Sequence, residues 1–449
     1  MVYSIVGCYR PLKRWPECPP LRSQVATGAA GAGTDELMSS AAVRIVHAAD
    51  IHLDSPMRGL GALGNPDLAA RLRRSSRHAF DALVGHCLEE LPAALVIAGD
   101  LYDGDWKDYA TGAYFAARMG DLADVGVRVV IVRGNHDADS VIRRAVTLPP
   151  NVHLLDADAP ESVIFDDVGL AVHGQSFATR AVLANLAQRY PDPVPGLCNV
   201  GVLHTSVAGY VGHDPYAPCD VTDLTGRGYE YFALGHVHAR EVLATGVSTV
   251  AFSGNLQGRH VGEAGPKGAL SVRLRTEEEA ELRFVPMDVA RWEVVDVCVD
   301  GLADMDALLP AIRAALDRAV SAAEGRLLVV RLLVRGTTTF ACEPERLDAE
   351  VRALAEQRGI GVNKVAVDLR PDVRRTELAD DERQRLEAAI ASADAGQLLA
   401  RANLAAMLSE LGHAYLRPAG LDLRNHETIA ELLAEAANEL QARAEGGLL

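Results

Sequence analysis

The stretch "VIAGDLYDGD" at residues 96–105 decides how this chain is read. An apolar run ending at Ala98 meets a glycine, and two carboxylates follow at Asp100 and Asp103. The same grammar recurs on either side. "VRIVHAA" (43–49) runs into Asp50-Ile51-His52, and "VRVVIVR" (127–133) runs into Gly134-Asn135-His136-Asp137. "NVGVLH" (199–204) ends on His204, and "YFALG" (231–235) leads into His236-Val237-His238. Short apolar runs of this kind, alternating with helical periodicity at 68–91 and 109–124, are the signature of an α/β fold. In an open α/β sheet ligands bind beyond the carboxyl ends of the strands. Five strands are therefore expected to deliver acids, an amide and imidazoles to one sheet edge.

The bulk properties set limits on function. A chain of 449 residues suggests two or three domains. No apolar run approaches the roughly 18 residues of a membrane span, so a cytoplasmic protein without membrane contact is expected. The net charge of −17 excludes a surface coated with phosphate-binding groups, and nucleic acid would need a local basic face or metal ions. Seven dispersed cysteines, without a CxxC pair, read as reduced thiols, with Cys87 and Cys298 expected in the core.

Four segments are expected. Residues 1–42 lack periodicity and read as a disordered leader or a mis-assigned start, with Met38 as the candidate true start. Residues 43–289 hold the strands just described and close with a hairpin of "GALSVRLR" and "AELRFVPM". Residues 290–372 alternate strand and helix without clustered His or Asp, and read as a small α+β domain. Residues 373–449 read as a helical tail of net charge −5, a poor DNA binder whose last amphipathic helix packs on its own domain or docks a partner.

Carboxylates, imidazoles and an amide oxygen suit Mn²⁺, Fe²⁺ or Zn²⁺, and do not suit Ca²⁺ or a thiolate-loving ion. Seven such groups exceed what one tetrahedral ion takes but fit two ions sharing a carboxylate. A pair of ions roughly 3.5–4 Å apart can activate a water and clamp a phosphoryl group during in-line displacement. Asp50/His52 and His236/His238 have the i, i+2 spacing that puts both side chains on one side of an extended chain.

D-x-H, GDxxD, GNHD, a lone His and G-H-x-H, in this order, resemble the motif series of the calcineurin-like metallophosphoesterases. "HAADIHLDSPMRGL", "GNHD", "GHVHARE" and "SGNLQGRHVGEAGPKG" resemble the DNA-repair exonuclease branch, the SbcD-type nuclease subunits, and among them the YhaO-type proteins most. The resemblance implies an α/β sandwich holding two metal ions, most often Mn²⁺, followed by a small capping domain and a helical segment that meets an SMC-like ATPase. It also implies a possible homodimer. Carried onto this chain, Asp50, His52 and His238 would hold one ion, Asn135, His204 and His236 the other, and Asp100 would bridge them. His136 would stand beside the scissile phosphate, where imidazolium suits charge stabilisation or protonation of the leaving oxygen. The best-known SbcD-type enzymes read GDLFH at the second motif, with a histidine where this chain has Asp103. An acid there resembles the phosphatase and phosphodiesterase branches, and Asp103 is expected to orient His136.

Arg58, Arg259 and His260 are the candidate substrate contacts, with Asp54 and the arginines at 73, 74 and 77 as further surface options. His47, His78 and His86 are expected to be packed or solvated, and His173, at the end of a further strand, is expected near the edge of the site without a ligand role. Three functions stay open: a two-metal phosphodiesterase acting on DNA as an exonuclease or endonuclease subunit in repair, an enzyme for small phosphoesters, and a scaffold subunit of an SMC-like complex.

Overall fold

The computed structural model describes residues 42–57, 60–103, 109–138, 147–207, 216–338, 340 and 342–371. The leader, Arg58 and the tail from 373 lie outside the described residues.

The first sheet is built on three parallel strands, β1 (Val43–Ala48), β2 (Ala94–Ala98) and β3 (Arg128–Val132), with β4 (Val152–Leu154) beside β3. The second sheet follows the order β5 (Glu161–Phe165), β6 (Leu170–Gly174), β7 (Cys198–His204), β8 (Tyr231–Gly235), β10 (Thr249–Phe252) and β9 (Glu241–Ala244). The hairpin β11 (Gly268–Leu274) and β12 (Glu281–Pro286) then returns to the first sheet, with β11 antiparallel to β1.

The strands of the first sheet are apolar on both sides because both of their faces are covered. Ile45, Val96 and Val130 point into a shared core with Val172, Val200, Val202 and Ala233 of the second sheet. Val46, Leu95, Ile97 and Val129 face the opposite way, onto Phe80, Leu83, Phe115 and Met119 of the helices Ser75–Glu90 and Tyr109–Asp124. The α/β sandwich expected for the chain is present. One expectation needs correction: the five motif strands do not share one sheet edge. β1, β2 and β3 lie in one sheet and β7 and β8 in the other, and the two carboxyl-end edges meet across the core. A doubly buried strand reads as a continuous apolar run whichever sheet it joins, so periodicity alone does not assign its partners.

A third, wholly parallel sheet carries β13 (Ala290–Cys298), β14 (Leu327–Thr338) and β15 (Gly361–Pro371). The helices Met305–Ala322 and Pro344–Glu356 connect these strands and pack their apolar stripes on it. Cys298 is exposed near the end of β13, contrary to the core position expected for it, whereas Cys87 is buried. Among the described residues, no helix is long and apolar enough to cross a membrane.

The junction between the sandwich and this sheet is polar and specific. The Gln257 side chain accepts from the backbone N–H of Val289 (3.0 Å) and Ala290 (3.2 Å) and donates to the Ala290 carbonyl. Trp292 donates its indole N–H to the Gly258 carbonyl at 2.9 Å and packs with Leu63, Leu68, Leu72 and Val329. Gln257 is buried, so replacing it by an apolar side chain leaves backbone donors and an acceptor unsatisfied. Gln257→Met is expected to lower stability by about 2–4 kcal/mol in urea unfolding; no change in the midpoint would mean that the junction does not depend on this amide.

Candidate metal centre

Three of the five motif strands, β1, β2 and β8, stop where the chain turns sharply. Asp50, His52, Asp100 and His236 all have positive φ, at 50°, 44°, 51° and 98°. Left-handed backbone at non-glycine residues costs about 1–3 kcal/mol each and persists only where the surroundings enforce it. Here the enforcement is visible in backbone bonds from Asp50 to Gly99 (3.0 Å) and from His52 to Asp100 (3.0 Å), which prolong the β1–β2 pairing beyond the strands. The glycines of the motifs are steric necessities. A Cβ on Gly134 would collide with Asp100 Oδ1 and the His204 ring, and one on Gly235 would strike the Ala98 carbonyl of the facing sheet.

Six of the seven expected ligands bring a ligand atom together, and His236 joins them by ring packing. His52 donates from Nδ1 to Asp103 Oδ1 at 2.8 Å, and His238 donates from Nδ1 to Glu263 Oε1 at 2.7 Å. With those protons on Nδ1, each ring turns an unprotonated Nε2 inward, and the two Nε2 atoms face one another at 3.4 Å. Asp50 Oδ1 lies 3.9 Å from His238 Nε2. On the other side, His204 donates from Nδ1 to the Ala98 carbonyl at 3.0 Å, which leaves its Nε2 facing Asn135 Oδ1 (3.0 Å) and Asp100 Oδ2 (3.5 Å). Asp100 Oδ2 is also 3.9 Å from His52 Nε2, so this carboxylate stands between the two groups. His236 packs edge-on against the His204 ring at 5.2 Å, and its backbone N–H reaches both Asp50 oxygens at 3.1 and 3.0 Å.

The electrostatics fit a cation. Burial pushes His52 and His204 down to about 3, which keeps both as neutral imidazoles, the form that binds metal. Burial and the nearby Asp100 charge push Asp50 well above the usual carboxylate range, and burial lifts Asp100 to about 6. Buried lone pairs and carboxylates facing one another within 4 Å lack only positive charge. The groups Asp50/His52/His238 and Asp50/Asp100/His204 each bring their ligand atoms within 4.8 Å of one another. The oxygen and imidazole donors suit Mn²⁺, Fe²⁺ or Zn²⁺.

Asp103 meets His136, as expected, and also His52. Its shorter bond goes to His52, while His136 Nδ1 lies 3.3 Å from the same oxygen. Burial opposes its ionisation, but the bond from His52 holds its carboxyl far below the usual range. His136 is the most exposed imidazole of the centre at 34%, and its backbone N–H donates to Asp100 Oδ1 at 3.0 Å. Arg259 turns inward, with 3.1 Å to Glu263 and 3.8 Å to Asp103, and His260 stands exposed at the rim. Asp54 is held by Arg77 and by Thr111 (2.7 Å), and Arg77 also lies over the Tyr114 ring at 4.3 Å. That pair is structural and leaves Arg73 and Arg74 as the exposed arginines of that cluster. His47 is fully packed, as expected, and His173 is buried too, bonded to Ser162 and Asn199.

Sequence reasoning missed Glu263 and the role of Asp137. Asp137 is buried and accepts the backbone N–H groups of Leu101 (3.1 Å), Tyr102 (2.9 Å) and Gly134 (3.2 Å), latching the loop after β2 to the loop after β3. Asp137→Ala strands three buried donors, each costing about 1–3 kcal/mol. It is expected to lower stability by at least about 3 kcal/mol and to weaken Mn²⁺ binding. Unchanged Mn²⁺ affinity by calorimetry would show that the latch does not position Asp100 and Asn135.

Comparison with known proteins agrees with this geometry. The Calcineurin-like phosphoesterase family matches residues 43–240, and the middle domain of metallophosphoesterase YhaO matches residues 292–370. The metallophosphoesterase YhaO of Bacillus subtilis is 32% identical over 322 residues, covering 70% of this chain and 77% of its own. The DNA double-strand break repair protein Mre11 of Methanopyrus kandleri is 27% identical over 223 residues, covering 44% of each chain. Among solved structures, a dimetal phosphatase from Danio rerio aligns at 13% identity and a TM-score of 0.32 over 54% of this chain and 99% of its own. On the strength of the YhaO match, the chain belongs to the calcineurin-like metallophosphoesterases, a family of metal-dependent phosphoesterases.

Proposed function

We propose that this protein hydrolyses DNA phosphodiester bonds with two divalent ions, as an exonuclease or endonuclease subunit in repair. The observation that carries the reading is the paired set of converging acceptors on either side of Asp100, with one partly exposed histidine beside them. Asp50, His52 and His238 would hold one ion, Asn135, His204 and His236 the other, and Asp100 would bridge. Two ions, Mn²⁺ before Fe²⁺ or Zn²⁺, would supply a nucleophile active at neutral pH and offset charge gathering on the phosphoryl group. His136, steadied at Nδ1 by Asp103, would turn Nε2 to the phosphate and donate a proton to the departing oxygen.

DNA as substrate is supported by the likeness to Mre11, by the size of the accessory domain and by the segment Gly-Asn-Leu-Gln-Gly-Arg-His at 254–260. A small phosphodiester is the second reading, favoured by the acid at 103 and by the net charge of −17. A cytoplasmic location, an SMC-like ATPase docked through the tail, and a homodimer belong to the DNA reading as further proposals.

The test is hydrolysis of linear duplex DNA and of small phosphodiesters by the purified protein with Mn²⁺, with and without chelator. DNA cleavage that EDTA abolishes and Mn²⁺ restores is expected, and His136→Ala should lower kcat by about 10²–10⁴. Cleavage of the small substrates alone would overturn the DNA reading; full activity in His136→Ala would overturn the proton donor.

A further inference from the structure

We infer that Glu263 and Arg259 are positioning residues for one ion only, the one assigned to Asp50, His52 and His238; the inference rests on the two-ion reading. Glu263 belongs to a short turn between β10 and β11, yet it is buried and four donors converge on it. His238 Nδ1 (2.7 Å) and Arg259 Nη2 (3.1 Å) bond to Oε1, and Asn255 Nδ2 (2.9 Å) and the Arg259 backbone N–H (2.7 Å) bond to Oε2. The His238 proton is thereby fixed on Nδ1, with the Nε2 lone pair aimed at His52 Nε2 and Asp50. A carboxylate on the outer nitrogen of a ligand histidine both orients the ring and raises its basicity. The Lys267 ammonium, 2.7 Å from the His238 carbonyl, fixes the backbone of the same residue.

Asp103 does for His52 what Glu263 does for His238, and Arg259 joins the two. Its guanidinium lies 3.1 Å from Glu263 and 3.8 Å from Asp103. One cation therefore holds together two acids that would otherwise repel each other, and with them the two histidines. The other ion position is supported differently, since His204 donates its Nδ1 proton to the neutral carbonyl of Ala98. His238 and His204 thus differ in the charge behind them. Glu263→Gln removes that charge from one of them and puts an amide donor where only acceptors fit.

The experiment is Mn²⁺ titration of the metal-free full-length protein by calorimetry, with free Mn²⁺ followed by its paramagnetic signal. The unmodified protein is expected to take two ions. In Glu263→Gln one of them should bind about 10- to 100-fold more weakly while the other keeps its affinity. In a His238→Ala background the same substitution should weaken binding much less than it does alone, because its direct influence passes through that ring and only the part relayed by Arg259 and Asp103 to His52 is left. Fewer than two ions in the unmodified protein would overturn the two-ion reading itself. Two ions bound equally well by Glu263→Gln, equal weakening of both, or additive losses with His238→Ala would overturn this inference alone. Long-range ¹H–¹⁵N correlation of the histidines in the unmodified, metal-free protein gives a readout that needs no variant. His238 should carry its proton on Nδ1, and a proton on Nε2 would refute the role of Glu263.

Discussion

The hydrogen bond from His204 to the carbonyl of Ala98 is the contact on which the rest of the centre depends. Ala98 ends β2 in one sheet and His204 ends β7 in the other, so this bond ties the two edges where the ligands gather. It also fixes which nitrogen of His204 is free to face Asn135 and Asp100. The sheets meet this closely only because Gly235 has no side chain to strike the same carbonyl. A second tie runs in the opposite direction, from the backbone of His236 to the carboxylate of Asp50. Between them, the two bonds convert the meeting of two strand edges into a cage of set size.

That cage is electrostatically unfinished by its own atoms. Asp50 and Asp100 are buried among neutral imidazoles, and each raises the cost of ionising the other. Backbone donors ease this in part: His236 to Asp50, and His136 to Asp100 from the first turn of the short helix Asn135–Ala138. Asp137 in the same turn spends its acceptors on backbone groups instead and holds the loops in register. Within four residues of GNHD, the asparagine, the histidine and the acid therefore do three different jobs. Divalent cations held here would complete the balance, which buried acids among imidazoles otherwise lack.

Much of this is legible in sequence because the motif residues follow apolar runs directly, so their placement at strand ends is a local property. The sandwich and the converging side chains follow from that locality. The partition of five strands between two sheets does not, because all five are apolar on both faces. Glu263 was hidden for a related reason. It stands 25 residues beyond His238, in a turn whose glycines and polar residues carry no periodicity, and its meaning exists only once the chain folds back. A signal was present in "GNLQGRHVGE": a lone acid in an otherwise neutral or basic loop that returns to a histidine motif needs a partner. Arg259 and His260 are both candidate substrate contacts in the sequence, but in the fold Arg259 turns inward toward two acids while His260 stands exposed.

The same geometry changes what the acid at position 103 implies. From sequence, Asp103 weighs against DNA, since SbcD-type enzymes carry histidine there and an acid is expected to steer His136. In the fold its shorter bond is to His52, a candidate ligand, and its link to His136 is the longer one. An ionised acid at this place acts first on His52, by fixing its proton on the outer nitrogen. A neutral histidine could accept that proton too, but without the negative charge that Arg259 joins to Glu263. On the proposed two-ion reading, position 103 would bear on how tightly one ion is held and how much charge stands behind it, before it bears on the size of the phosphoester that enters. Substrate choice has to be sought in groups that reach past the ions, and among the imidazoles of the centre His136 and the rim residue His260 are the most exposed.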